Sequence, residues 1–272
     1  MKQSIKFLIK PIKFLIIKLL ALWNYFPTPA TDKNKINELI KSLQPITTDK
    51  ELIRLGPEKD GGYLVPNDLD AIEACFSPGV NTVCGFERDC ADMGIEVFMA
   101  DNSIEKIPDT HTMYNFVKKF IGSTSNNEFF TMDDWVATAP ISEDSDLMLQ
   151  MDIEGYEYET FLSMSDKLLS RFRIIVVEFH SLHMLFSQPF FSISSSVFEK
   201  ILQTHEVVHI HPNNAGNIRS KNGLSIPVYL EITFLRKDRI KNKTFTRNFP
   251  HHLDRDCSSA QKITLPQCWY KY

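Results

Sequence analysis

The sequence predicts an α/β protein with a doubly wound, Rossmann-like sheet. Three observations carry this: apolar strand-like runs alternate with helical patterns, several runs end on an acid or a histidine, and the runs are apolar throughout rather than alternating. Strands buried on both faces belong to parallel sheets covered by helices. In such sheets ligands sit at the carboxyl ends of the strands, so the residues ending each run are the informative ones.

The chain has 272 residues, 43% of them hydrophobic, and only 10 glycines, which suits one sizeable core and excludes disordered, collagen-like and coiled-coil classes. No self-similar period indicates a solenoid or propeller. The net charge of −4 hides an asymmetry: residues 1–26 hold five lysines and no acid, leaving 25 basic against 34 acidic residues in the rest. Such an acidic body argues against general nucleic-acid binding, which needs a basic surface. The five cysteines, Cys75, Cys84, Cys90, Cys257 and Cys268, show no C-x-x-C spacing and read as small apolar packers in a reducing compartment.

Residues 1–26 are apolar but broken by lysines too often for the roughly 20-residue run of a spanning helix. On a helix, Lys2, Lys6, Lys10 and Lys13 share a stripe, while Phe7, Leu8, Ile12, Leu15 and Leu19 fall largely off it. This predicts an amphipathic segment lying on an anionic membrane surface, with Trp23 and Tyr25 at headgroup level. An uncleaved signal anchor and a signal peptide ending near Pro29 and Ala30 are the alternatives. The expected organisation is a membrane-associating segment (1–26), a linker and helix (27–48) and one domain (49–272). The expected location is cytoplasmic, peripheral on the inner face of a membrane.

In the body, INELIKSL repeats apolar residues at helical spacing and predicts a helix over about 34–44. IRLGPEKDGGYLVP, with glycine and proline at its ends and a Gly61-Gly62 pair, reads as a loop with a short hairpin. Residues 74–80 form a strand ending in a turn, 82–93 a helix, and 95–101 a strand ending on Asp101. Residues 146–152 form a strand ending on Asp152, followed by one helix through about residue 172 and a β-branched strand, 173–180, ending on His180. A helix at 190–204, a strand at 207–211, a loop at 212–223, a strand at 228–237 and an irregular tail complete the chain.

An aspartate ending the second strand, Asp101, is where a nucleotide-binding sheet places a carboxylate for ribose hydroxyls. The first turn offers only Gly79 before Asn81 and Gly85, without a G-x-G-x-x-G pyrophosphate fingerprint, which disfavours NAD and FAD and leaves room for a nucleoside cofactor without phosphates. His180 and His211 are candidate bases because imidazole titrates near the working pH. Asp152 and Glu154, if extended, project to one side and could bind a divalent cation such as magnesium with Glu178 or His211. A helix-terminal role is the other reading of Glu154 and Glu157. Tyr63 in Asp60-Gly61-Gly62-Tyr63 could close over a cofactor or belong to a plain turn. Phe186, Phe190 and Phe191 could line an acceptor pocket or pack the core, and His251 and His252 before Asp254 read as a capping motif.

Several segments resemble the FkbM-type (methyltransferase family 21) class of S-adenosylmethionine-dependent methyltransferases. They are RLGPEKDGGY (54–63), SPGV with FE (77–80, 86–87), FMADNS (98–103), TMDDW (131–135), LQMDIEGYE (149–157), VEFH (177–180), HIHPNN (209–214), and LEITF with PHHLD (230–234, 250–254). The resemblance covers about residues 50–270. It implies a class I methyltransferase sheet, mostly parallel with an antiparallel last strand, with S-adenosylmethionine as cofactor. It also implies that Ser77, Gly79 and Glu87 line the methionine and ribose side, Asp101 holds the ribose, Asp133 sits near the adenine and Asp152 at the sulfonium end. Pro78 and Asn81 depart from the Gly-rich turn more usual in methyltransferases. The branch resembled occurs among surface-glycan gene products, which implies a saccharide or glycolipid hydroxyl as acceptor. Two other classes stay open: a metal-dependent hydrolase or phosphodiesterase using Asp152, Glu154, His180, His209 and His211, and a non-catalytic binding module. A glycosidase built on Asp152 and Glu154 fits less well, since the two acids are not placed across a sugar ring. Oligomeric state has no signature in the sequence.

Overall fold

A computed structural model describes residues 15–271. Seven strands form the central sheet: β1 (Ile72–Pro78), β2 (Glu96–Ala100), β3 (Tyr114–Val117), β4 (Asp146–Met151), β5 (Phe172–Phe179), β6 (His205–Pro212) and β7 (Leu230–Arg236). Their order is β6-β7-β5-β4-β1-β2-β3. The pairs from β5 to β3 are all parallel. β7, the last of them in sequence, runs antiparallel to both its neighbours. The protein is thus an α/β fold on a mostly parallel sheet.

Burial explains the continuous apolar runs: every residue of β5 is buried. Alternate side chains enter two separate clusters, one on each face. Phe76, Leu149, Ile175 and Val177 join helices α1 (Lys33–Ser42), α3 (Met132–Ala137), α4 (Glu157–Ser163), α5 (Asp166–Arg171) and α6 (Gln188–Thr204). Cys75, Met148, Ile174 and Val176 meet α2 (Gly85–Asp92) and the hairpin of Leu52–Leu55 with Tyr63–Pro66. In α1, Ile36, Leu39 and Ile40 supply the buried stripe, and Asp32 accepts from Asn34 N at 2.8 Å to cap the first turn. All five cysteines are free, and Cys75, Cys84 and Cys90 are buried.

Two expectations are corrected, and one strand has no counterpart among them. The helix expected from residue 156 to about 172 is two, α4 and α5, because Ser165 is extended and its hydroxyl caps a new helix through Leu168 N at 3.1 Å. The expected loop 212–223 contains a strand, Ile218–Lys221, paired with Leu224–Pro227. β3 carries no sequence signal, since as a half-exposed edge strand it lacks an apolar run. Of the amphipathic leader, residues 1–14 lie outside the described residues. Residues 15–22 are helical, and no described helix is long and apolar enough to cross a membrane.

Candidate active site

The carboxyl ends of β1, β2 and β4 open on a cavity of about 390 Å³, lined by Asp60, Tyr63, Gly79, Asn81, Glu87, Asp101, Phe120, Phe129, Gln150, Asp152, Glu154 and Tyr156, among others. Its floor depends on Gly79 at φ +88°, where a Cβ would stand 1.7 Å from the carbonyl oxygen of Asp152. Only glycine lets the ends of β1 and β4 meet there. Asp101 clamps this turn to β2. Its Oδ2 accepts from Asn81 N at 2.8 Å, and its Oδ1 accepts from Ser103 N at 2.8 Å and Ser103 Oγ at 2.6 Å. Three accepted bonds leave one of the carboxylate's roughly four acceptor positions for a ligand.

Ser77 is fully buried behind the wall and contacts the cavity through its partners: it donates to Gln150 Oε1 at 2.6 Å and is bonded to Glu87 Oε1. Burial pushes Glu87 up to about 7, so its protonated form can donate to Ser77.

β4 stops at Met151, and the next turn is not extended as expected: Glu154 has φ +55° and Gly155 φ +106°. Non-glycine residues rarely adopt this region, and such strain persists where surroundings impose it. Glu157, fully buried, imposes it here: its Oε1 accepts from Gly155 N at 2.9 Å, from Ile153 N at 3.3 Å and from His180 Nδ1 at 3.0 Å. With Nδ1 donating, the other ring nitrogen of His180 faces Glu154 Oε2 at 3.3 Å, Asp152 Oδ1 at 3.7 Å and Glu178 Oε1 at 3.9 Å. Burial opposes a charge on His180, but Glu157, Asp152 and Glu178 outweigh it and hold the imidazole above its usual range. The shift favours the protonated imidazole at neutral pH. Burial raises Asp152, His180 opposes the rise and Glu154 adds to it. Asp152 Oδ1 has no hydrogen-bond partner.

In the sequence Glu157 reads only as a helix-terminal acid, and its part as the orienting carboxylate becomes visible in the folded chain. Its signal was its place in the turn that follows a strand ending on an acid.

Ligand atoms of Asp152, Glu154 and His180 lie within 4.8 Å of one another, a spacing that could hold a cation. Of the other two metal candidates, Glu178 borders the trio at 3.9 Å from His180 but is not part of it, and His211 is remote. Both oxygens of Glu178 accept from Asn213 Nδ2 at 2.9 Å. His211 is two strands away, its Nδ1 3.5 Å from Asp254 Oδ2. Register places Glu178, Glu231 and His211 in one row across β5, β7 and β6, and Glu231 is a second acid the sequence reading passed over. Burial pulls His211 down, yet Asp254 and Glu231 push it to about 9. Asp254 also takes His209 Nε2 at 2.8 Å and His251 N at 2.7 Å, so His209 belongs to this second cluster and the His251–Asp254 segment caps itself.

Asp133 is outside the cavity as well. It accepts from Ser165 N at 2.8 Å and binds the Ser165 hydroxyl, lining a separate hollow with Lys167 and Arg171. Phe186, Phe190 and Phe191 pack against the core. Tyr63 is buried and lines the cavity.

Residues 93–219 match the family described as Methyltransferase FkbM domain. Among solved structures, one described as "Structure of an antibiotic related Methyltransferase" aligns at 10% identity with a TM-score of 0.28, covering 76% of this chain and 95% of that one. No curated protein matches the chain. The matched segment, a little under half of the chain, contains Asp101, Asp152, Glu154, Glu157, Glu178, His180 and His211.

Proposed function

We propose that the protein is an S-adenosylmethionine-dependent O-methyltransferase acting on a hydroxyl of a saccharide or surface glycan. The strand order and the clusters on both faces support the doubly wound class I methyltransferase arrangement. The observation that carries the reading is Asp152: a carboxylate with an unpartnered oxygen at the wall of a strand-end cavity, beside a histidine oriented by a buried glutamate, inside the matched segment.

The cavity fits the cofactor in size and lining: about 390 Å³ lies within the usual range of ligand sites, roughly 300–1,000 Å³. Asp101 stands where ribose hydroxyls would be held, and Phe120, Phe129 and Tyr156 offer apolar walls. When bound, S-adenosylmethionine supplies a methyl group on a sulfonium, and transfer to a hydroxyl is a displacement that needs mainly alignment. Asp152 takes the acceptor's hydroxyl proton. His180, held above its usual range chiefly by Glu157 against burial, is the neighbour that opposes the rise burial gives Asp152 and so favours its ionised form. A divalent cation such as magnesium would be held by Asp152, Glu154 and His180 and would polarise the acceptor oxygen. Such an ion has to displace the proton of His180.

Calorimetric titration of S-adenosylhomocysteine into the protein, with and without magnesium, tests the reading. Binding should weaken about tenfold, ~1.4 kcal/mol, in Asp101→Ala. No binding by the folded protein would overturn the reading, and metal binding alone would then favour a hydrolase on the same residues.

A further inference from the structure

The segment joining the basic leader to the body is pinned at one place. Ala30 pairs with Ser187 in an antiparallel bridge, Thr31 N donates to Phe186 O at 3.0 Å, and Gln188 N donates to Pro29 O at 2.9 Å. Residues 181–187 leave β5 directly after His180, and α6 starts at Gln188. The leader therefore exits at the carboxyl end of β5, on the side of the sheet where the cavity opens.

Apolar side chains are exposed along this exit. Leu22, Trp23 and Phe26 are 81%, 78% and 83% exposed, and Met184 and Ile193 beside the pinned segment are exposed too. Tyr156, at the cavity wall, is also exposed. Exposed aromatic and aliphatic groups, in a leader whose sequence over residues 1–26 has five lysines and no acid, complement a negatively charged, partly apolar surface. The body, with 25 basic against 34 acidic residues, adds no net attraction to such a surface.

We propose that residues 15–26 lie on an anionic lipid bilayer and that their pinned exit turns the mouth of the cavity toward it. The acceptor hydroxyl then belongs to a saccharide anchored in that bilayer by a lipid. This last step rests on the methyltransferase reading, whereas the docking itself does not.

The full chain should cosediment with phosphatidylcholine vesicles containing phosphatidylglycerol at least tenfold more strongly than with phosphatidylcholine alone, and less so at high salt. Bound to the vesicles, hydrogen exchange should slow over residues 181–193 and 153–156 as well as 15–31, and stay unchanged over 139–146 at the opposite end of β4. The double variant Leu22→Ser, Trp23→Ser should lose vesicle binding at least tenfold while titrating with S-adenosylhomocysteine like the parent. No preference for the anionic vesicles, or protection confined to 15–31 or shared by 139–146, overturns the docking. Labelled methyl groups from S-adenosylmethionine should enter the organic-soluble fraction of the source organism's membranes, and label found only in water-soluble saccharide overturns the lipid-borne acceptor. Docking without any S-adenosylhomocysteine binding would sink the methyltransferase reading alone.

Discussion

The two ends of the sheet use the same residue types to opposite effect. At the amino end, Asp146 accepts from Arg173 at 2.8 and 2.6 Å and from Arg236 at 2.6 Å. Arg173 also donates to the carbonyls of Asp68 and Asp70, and Arg239 grips Asp68 at 2.7 and 2.9 Å. Hydrogen bonds from Arg239 and Lys50 outweigh burial and hold Asp68 down at about 2. At the carboxyl end Asp152 Oδ1, Glu157 Oε2 and both ring nitrogens of His211 lack hydrogen bonds. Buried polar atoms are normally satisfied, and of the unanswered ones Asp152 Oδ1 faces the cavity, where a ligand can reach it.

The largest expected effect is on turnover. Asp152→Asn should lower methyl transfer by about 10²–10⁴-fold while leaving the melting temperature unchanged or higher, because it removes a buried carboxylate with an unanswered oxygen. A stability loss instead would show that Asp152 serves the fold as Asp146 does. At the other end, Arg173→Met should cost about 1–3 kcal/mol in chemical denaturation, since Asp146 keeps Arg236 but loses one of its two arginines and the carbonyls of Asp68 and Asp70 lose their donor, with S-adenosylhomocysteine affinity kept in the folded fraction. If that affinity falls in parallel, the two ends are not separable.

Glu157→Gln should lower kcat about tenfold or more with cofactor affinity retained, and the imidazole resonances of His180 should titrate at lower pH than in the parent. An unshifted titration would remove Glu157 as the orienting group. The smallest effect is on stability against pH. Glu178 and Glu231 are raised mainly by burial, and His180 and His211 are raised by the carboxylates around them, His211 to about 9. Between about pH 6.5 and 9 the folded protein thus binds more protons than the unfolded chain, and stability falls as pH rises. A melting temperature that is flat or climbing over this window would mean that ligands or water already answer these groups.

Legibility from the sequence followed the length and uniformity of the local signal. β4 and β5 announce themselves because burial on both faces demands an unbroken apolar run, and Asp101, Asp152 and His180 stand out because they end such runs. β3 at the sheet edge needs no such run, and the break between α4 and α5 rests on one serine, which periodicity alone does not resolve.

By itself the sequence determined the α/β class, the apolar strands and the acids that end them, since the apolar run of a buried strand and the residue that ends it are local properties of the chain. It also carried the likeness to FkbM methyltransferases through MDIEGYE and the motifs around it. Only the tertiary structure decided which strand ends share a cavity: strand order is set by long-range pairing, and inserting β7 between β5 and β6 moves His211 away from Asp152 while leaving His180 beside it. It likewise decided the part of Glu157, because a carboxylate that orients a histidine 23 residues away is defined by the packing of two strands against one turn.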